Sequence, residues 1–305
     1  MFSILIPTFN NLDYLKLCIE SIKKNSKFEH QIIIHINEGS DGTLEFVKNS
    51  NYEFTYSENN IGMPKALNKS AKLSKYNYIL ISHDDFYYCP EWDLELKNEI
   101  DTIGHNNFYI SGLMVNYEEY NPSINQNLLP PVFDAGEIPK NFDEFKLLNN
   151  LEKIKTFDYQ GTTKCPGLIH KKIWNKVGGW SEEFSPTGGD DTDFALKLWN
   201  SDVRIFKGIG KCSAYHFGSI TTRKKPKSLF TYLGSRANKI FVKKWGMSIN
   251  FFENHYLKSG YDKNKKMIFN EYKSVLTNPD ISLRYLFGLT LCKLLKLYLF
   301  IIRYK

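Results

Sequence analysis

Apolar positions along the chain alternate between two periods. Ser3-Ile-Leu-Ile-Pro7 is a short apolar run that reads as a strand, and after the polar turn Thr8-Phe-Asn-Asn11 the residues Leu12, Leu15, Ile19 and Ile22 recur at helical spacing. The same alternation then repeats. Gln31-Ile-Ile-Ile-His-Ile36 is a second strand, closed by Asn37-Glu-Gly-Ser-Asp-Gly-Thr43, whose glycines mark a tight turn and whose polar side chains suit a helix start. Phe54-Thr-Tyr56 is a weaker third strand, followed by Glu58-Asn-Asn-Ile-Gly62 and a helix over about 64–73 with Pro64 in its first turn. Tyr78-Ile-Leu-Ile81 is a fourth. Beyond it the pattern predicts a helix over 92–103, a strand over 108–115, a helix over 171–180 closed by Gly178 and Gly179, a helix after Asp190, and a strand ending at His216. Strands alternating with helices imply an α/β fold with a Rossmann-like, mostly parallel central sheet flanked by helices. Residues 117–160 lose periodicity and read as an irregular functional loop or lid.

Two acidic clusters interrupt this pattern. The fourth strand ends abruptly in His83, Asp84 and Asp85, at the strand end where open α/β sheets bind ligands. Adjacent carboxylates repel, so a cation is expected beside them, and Mg²⁺ or Mn²⁺ carrying a substrate's phosphates is the common solution; the other reading is a solvated Asp-Asp turn capping a helix. The chain has no GxGxxG after its first strand and no GxxxxGK[ST], which removes the dinucleotide fingerprint and the P-loop and leaves a metal to hold any phosphates. The second cluster, Gly188-Gly-Asp-Asp-Thr-Asp193, opens a helix. The helix dipole accounts for one or two acids there, but three in four residues repel one another, and at least one is a candidate general base. His216 becomes a ligand candidate only because both clusters exist.

Composition narrows the class. With 305 residues, 42% of them hydrophobic, the chain buries a full core. Its five cysteines form no CxxC pair, which argues against a zinc knuckle or a disulfide framework and for a reducing, cytoplasmic compartment. Met1 leads directly into the first strand, so no signal peptide is expected. The net charge of +7 hides an asymmetry: residues 221–305 hold 18 Lys and Arg against 4 Asp and Glu, and the rest of the chain is net acidic. The basic part opens with the loop 222–227 and a helix over 228–245. It ends in a mostly apolar stretch, 281–305, without acids, where Thr290, Lys293, Lys296 and Arg303 share one stripe. Two interior lysines argue against a bilayer span. A helix lying on an anionic membrane surface and a helix packed on the body or on another protomer both remain open. Nucleic acid is not expected, because the interleaved aromatics of such a site are missing.

Taken together, the motifs resemble the family 2 glycosyltransferases with the GT-A fold, inverting enzymes that use nucleotide-diphosphate sugars, over roughly residues 2–245. The opening strand with Pro7, Thr8 and Asn10 is similar to that family's first strand. Asn37 and Glu38 fall on the turn that holds the nucleotide base, and Asn60, Gly62 and Asn68 on the segment under the diphosphate. Departures accompany the match. Leu67 stands where an arginine is common, which brings Lys65 forward as its substitute beside the phosphates, and His83 replaces the first acid of the DxD metal motif. The resemblance implies Asp85 as first metal ligand, with Asp84 sharing the metal or meeting the ribose beside His83, and His216 completing the shell around Mn²⁺ or Mg²⁺. Gly167, Trp180 and Asp190 are implied on the acceptor side, Asp190 in place of a usual Glu, with Asp191 as catalytic base. It further implies a catalytic domain over 1–220, with a nucleotide-sugar half at 1–115 and an acceptor half at 116–220, followed by a basic helical region at 221–305. The expected donor is a UDP-sugar and the acceptor a glycan or lipid-linked molecule of surface polysaccharide or glycoconjugate synthesis, reached from the inner face of a membrane; an oligomer is open. A non-catalytic nucleotide-sugar binder of the same fold is the alternative, and intact Asp84-Asp85 and Asp190-Asp191 favour the enzyme.

Overall fold

Strand β1 (Ser3–Phe9) shows why the amino-terminal half is a parallel sheet. It lies between β2 (Gln31–Asn37) and β4 (Tyr78–Ile81), parallel to both, and Ile4, Leu5 and Ile6 are fully buried. A strand covered on both faces takes a continuous apolar run rather than an alternating one. The computed structural model describes residues 1–117, 131–218, 236–261, 267–268 and 270–302. Helix α1 (Leu12–Asn25) turns Leu15, Cys18, Ile19 and Ile22 to the sheet, and α2 (Thr43–Lys48) leads to β3 (Glu53–Ser57), parallel to β2 at the sheet edge. Helix α3 (Met63–Ala71) brings the chain back to β4.

The second half departs from the parallel pattern. A short strand, β5 (Phe86–Tyr88), follows the acidic turn directly, then come α4 (Trp92–Ile103) and β6 (Phe108–Asn116). The stretch expected to be irregular up to residue 160 contains α5 (Glu144–Asn149), α6 (Leu151–Ile154) and β7 (Tyr159–Gln160). Leu147 and Leu151 anchor these short helices in a second apolar cluster with Tyr87, Tyr215 and Phe217, while residues 118–130 of that expected loop lie outside the described ones. Next come β8 (Gly167–His170), α7 (Lys171–Val177), α8 (Asp190–Trp199) and β9 (Ile205–His216). The main sheet runs β3-β2-β1-β4-β8-β6-β9-β5, with β7 beside β9. Strand β8 is antiparallel to both β4 and β6, and β5 is antiparallel to β9.

The carboxyl-terminal region does not stand apart. Helix α9 (Arg236–Trp245), α10 (Ile249–Phe252) and a π-helical turn over Glu253–Leu257 place Phe241, Phe252 and Leu257 in the same core as the sheet. The basic loop at 222–227 and the first part of the helix expected over 228–245 lie outside the described residues. After the hairpin β10 (Gly260–Tyr261) and β11 (Met267–Ile268), helix α11 (Leu283–Ile301) rests on this region through one narrow stripe. Cys292 and Leu299 are buried there, the Ser248 amide donates to Cys292 Sγ at 3.3 Å, and Gly288 lies under the Phe251 ring.

Candidate active site

The turn after β4 is shaped by the pairing of the two strands beside it. Phe86 of β5 stands opposite His216 of β9, and His216 is in turn aligned with Asn116 on β6. His216 is 2% exposed, and its Nδ1 lies 2.9 Å from Asn116 Oδ1. An amide oxygen accepts, so Nδ1 carries the proton and Nε2 is left to face Asp85 Oδ2 at 3.3 Å. His83 stacks on the Phe86 ring with centroids 4.9 Å apart, and its Nδ1 is 3.8 Å from Asp85 Oδ1. Burial pushes the His83 imidazole down to about 4, against the pull of Asp85, and keeps it neutral with a lone pair to give. One ligand atom from each of His83, Asp85 and His216 lies within 4.8 Å of the others. Two imidazoles and a carboxylate are a ligand set that suits a divalent cation, which binds imidazole in its neutral form.

Asp84 is not part of this group. Residues two apart in an extended turn point the same way and their neighbour points oppositely. His83 and Asp85 therefore converge while Asp84 turns to α1, where Asn11 Nδ2 donates to its Oδ2 at 3.2 Å. Burial, and then the charge of Asp85, pushes Asp84 up to about 7. Of the ligands expected from the sequence, Asp85 and His216 lie in the group that could hold a metal ion, His83 joins them, and Asp84 faces α1.

The second cluster separates into three roles. Gly188 and Gly189, with φ of 110° and 73°, turn the chain into α8. Asp190 folds back on this turn, accepting from the Gly188 amide at 2.8 Å and the Thr187 hydroxyl at 3.2 Å; burial, then Asp191, pushes it up to about 7. Asp193 is fully buried and accepts from Trp245 Nε1 at 2.7 Å, with Lys244 Nζ at 3.0 Å. Asp191 is the open one. Its side chain is 29% exposed, Oδ1 accepts from the Thr192 amide at 2.8 Å, and Oδ2 lies 3.4 Å from Lys164 Nζ.

Both clusters line one cavity of about 460 Å³, whose walls include His83, His216, Lys164, Asp190, Asp191 and Glu253. Trp180 also lines it, 3% exposed, stacked on Phe194 at 5.6 Å. Gly167 lies deeper in β8, where a Cβ would fall 2.0 Å from the Tyr109 hydroxyl, so glycine is needed there for packing. The donor-side residues gather at the carboxyl ends of β1 to β3. Pro7 and Thr8 end β1, Asn10 Nδ2 donates to Glu38 Oε1 at 3.2 Å, and Asn37 Oδ1 accepts from the Ile61 amide at 2.9 Å. Asn60 Oδ1 accepts from the Gly62 amide at 2.9 Å, and Lys65 stands exposed on α3. Asn68, expected near the diphosphate, has its amide committed to the main chain of Trp180, accepting at 2.9 Å and donating at 2.8 Å. It therefore joins α3 to the acceptor side.

Three residues of this site escaped the sequence reading. Asn116 ends an apolar strand as Asn37 does, a signal that was there to find. Lys164 and Glu253 carry no local pattern, and only the fold brings them to Asp191.

A family model described as Glycosyl transferase family 2 matches residues 3–165, more than half of the chain. The chain belongs to that family. This glycosyltransferase is 26% identical over 250 residues to a chondroitin synthase of Pasteurella multocida (strain Pm70), an alignment covering 70% of this chain and 24% of that protein. It thus spans about a quarter of that relative's length. Among solved structures it is similar to S. aureus TarS 1-349 in complex with UDP-GlcNAc, with a TM-score of 0.51 and 16% identity over 74% of this chain and 59% of that one. It is also similar to GalNAc-T7 with UDP, GalNAc and Mn²⁺, with a TM-score of 0.51 and 15% identity over 71% of this chain and 43% of that one. At those identities the likeness shows the fold, which is the GT-A type of α/β sheet expected from the sequence.

Proposed function

We propose that this glycosyltransferase moves a sugar from a UDP-sugar to a hydroxyl of a glycan or lipid-linked acceptor in polysaccharide synthesis, with inversion and with a divalent cation. The observation that carries this reading is the shared cavity: His83 and His216 of the ligand group open into the same space as Asp191. A cation held by His83, Asp85 and His216 would offset the negative charge that grows on the departing diphosphate. Two imidazole donors favour Mn²⁺ over Mg²⁺, which prefers oxygen ligands. Asp191 takes the proton of the acceptor hydroxyl, and attack opposite the leaving group inverts the anomeric carbon. Asp190, held in its turn, shapes the acceptor side. Asn10, Asn37 and Glu38 would receive the nucleoside, supported by the UDP-GlcNAc in the TarS structure and the UDP in the GalNAc-T7 structure.

The acceptor chemistry has support from α11. No described helix is long and apolar enough to cross a membrane. Yet Leu283, Phe287, Leu294 and Leu297 are 54–87% exposed, beside the exposed Lys293 and Lys296. An apolar face with cations and no acids suits the surface of an anionic bilayer, where lipid-linked acceptors reside. The donor test is a panel of nucleotide sugars with Mn²⁺, Mg²⁺ or chelator, read by thermal shift and by slow donor hydrolysis. Stabilisation by UDP-sugars that needs Mn²⁺ is expected. Equal stabilisation with chelator present contradicts the metal role.

A further inference from the structure

One wall of the cavity comes from chain well beyond residue 165, where the family match ends. Ala237 and Ile249 close over the turn that starts α8, and a Cβ added at Gly189 would lie 2.9 Å from Ile249 Cδ1. Glu253 follows at the end of α10, 6% exposed. Its Oε1 accepts from the Thr192 hydroxyl at 2.9 Å, while Oε2 is buried with no hydrogen-bond partner among the described residues. Thr192 is also bound to the base: its amide donates to Asp191 Oδ1 at 2.8 Å, and its hydroxyl lies 3.4 Å from the same oxygen. Glu253, Thr192 and Asp191 thus form one connected row along the cavity wall.

Packing alone does not explain an acid at position 253. Burial pushes the Glu253 carboxyl up to about 7, a sign that the site resists its charge, and an orphaned buried oxygen lowers stability further. A polar group retained at such a cost beside the reacting centre marks a functional position. The ionisable groups facing Asp191 are Lys164 at 3.4 Å, its neighbour Asp190, Glu253 and His83, with Cys165 and Tyr109 behind.

We propose that Glu253 is a positioning residue for Asp191: through Thr192 it holds the base towards the acceptor. This rests on Asp191 being the base, and the test separates the two claims. Glu253→Leu removes the acceptor for Thr192 at similar size, whereas Thr192→Val breaks the link and keeps the volume. With the UDP-sugar that the wild-type protein turns over, each is expected to lower kcat about 10-fold with donor KM unchanged. Glu253→Gln, which keeps an acceptor for the Thr192 hydroxyl, is expected to recover most of the kcat lost in Glu253→Leu. Wild-type kcat in both Glu253→Leu and Thr192→Val, or a raised donor KM with kcat unchanged, overturns the proposal. If Glu253→Leu fails to fold, Thr192→Val decides alone: wild-type kcat overturns, a kcat loss at constant KM supports. An active Asp191→Asn would instead overturn the base assignment itself.

Discussion

Three aspartates crowd the first turn of α8, and what distinguishes them is what each side chain already holds. Asp190 is spent on the turn and Asp193 on Trp245 and Lys244, which leaves Asp191 as the one with a partly exposed side chain at the cavity. Asp191→Asn is expected to lower turnover by about 10²–10⁴-fold with UDP affinity unchanged, measured by kinetics and calorimetry. Buried acids also give the fold a pH dependence. Asp84, Asp190 and Glu253 are pushed up to about 7 from ordinary values of 3.8, 3.8 and 4.5. Below about pH 4 folded and unfolded chains both keep these protons. Between there and about 7 the unfolded chain releases protons that the fold retains, so rising pH weakens the fold. The metal-free protein is therefore expected to melt lower at pH 8 than at pH 5, with a smaller difference in Asp190→Asn; a Tm that rises over that range contradicts the burial argument. The sequence made an acid base visible as an excess of like charge, but the choice among three needed their partners. Glu253 was invisible because no periodicity marks one acid that tertiary contact alone brings to α8.

At the scale of elements, the strands and helices of the first half were legible because local period and turn chemistry decide them. Helix α4 begins and ends where its apolar spacing and Gly104 place it, with Gly104 at φ 71°. The second half was less so. Strand β5 is three residues long, too short to show a period, and its pairing with β9 spans the chain from Phe86 to His216. That pairing is what brings His216 to Asp85, and nothing local encodes it. Asn68 shows a related effect: its motif sits beside the diphosphate segment, and its side chain bonds the Trp180 main chain across 112 residues, a contact no local pattern encodes. Gly62 is the other joint between the donor and acceptor halves. Its φ is 83°, the next amide donates to Pro186 O at 2.9 Å, and an added Cβ would lie 2.5 Å from Pro186 Cα. Gly62→Ala is expected to destabilise by about 1–3 kcal/mol in denaturant titration. A change near zero would mean that the two halves are not held at this contact.

The molecule as a whole joins a catalytic cleft to a helix whose apolar face looks outward. The overall charge asymmetry pointed to two kinds of partner, and the structure adds that α11 is packed on the body by Cys292 and Leu299 while most of its large side chains remain exposed. The two sequence readings of the tail are therefore compatible. Because Leu294 and Leu297 are 57% and 54% exposed, Leu294→Asp with Leu297→Asp is expected to leave the Tm unchanged and to abolish sedimentation with phosphatidylglycerol vesicles. Sedimentation equal to wild type contradicts the membrane reading and leaves the cleft untouched. The central claim concerns the cleft, and diffraction from crystals soaked with UDP and Mn²⁺ tests it most directly. The result expected is an anomalous peak bound by His83, Asp85 and His216, with the diphosphate of UDP on its open side facing the cavity that Asp191 lines. A metal peak elsewhere, or UDP seated away from that cavity, contradicts it.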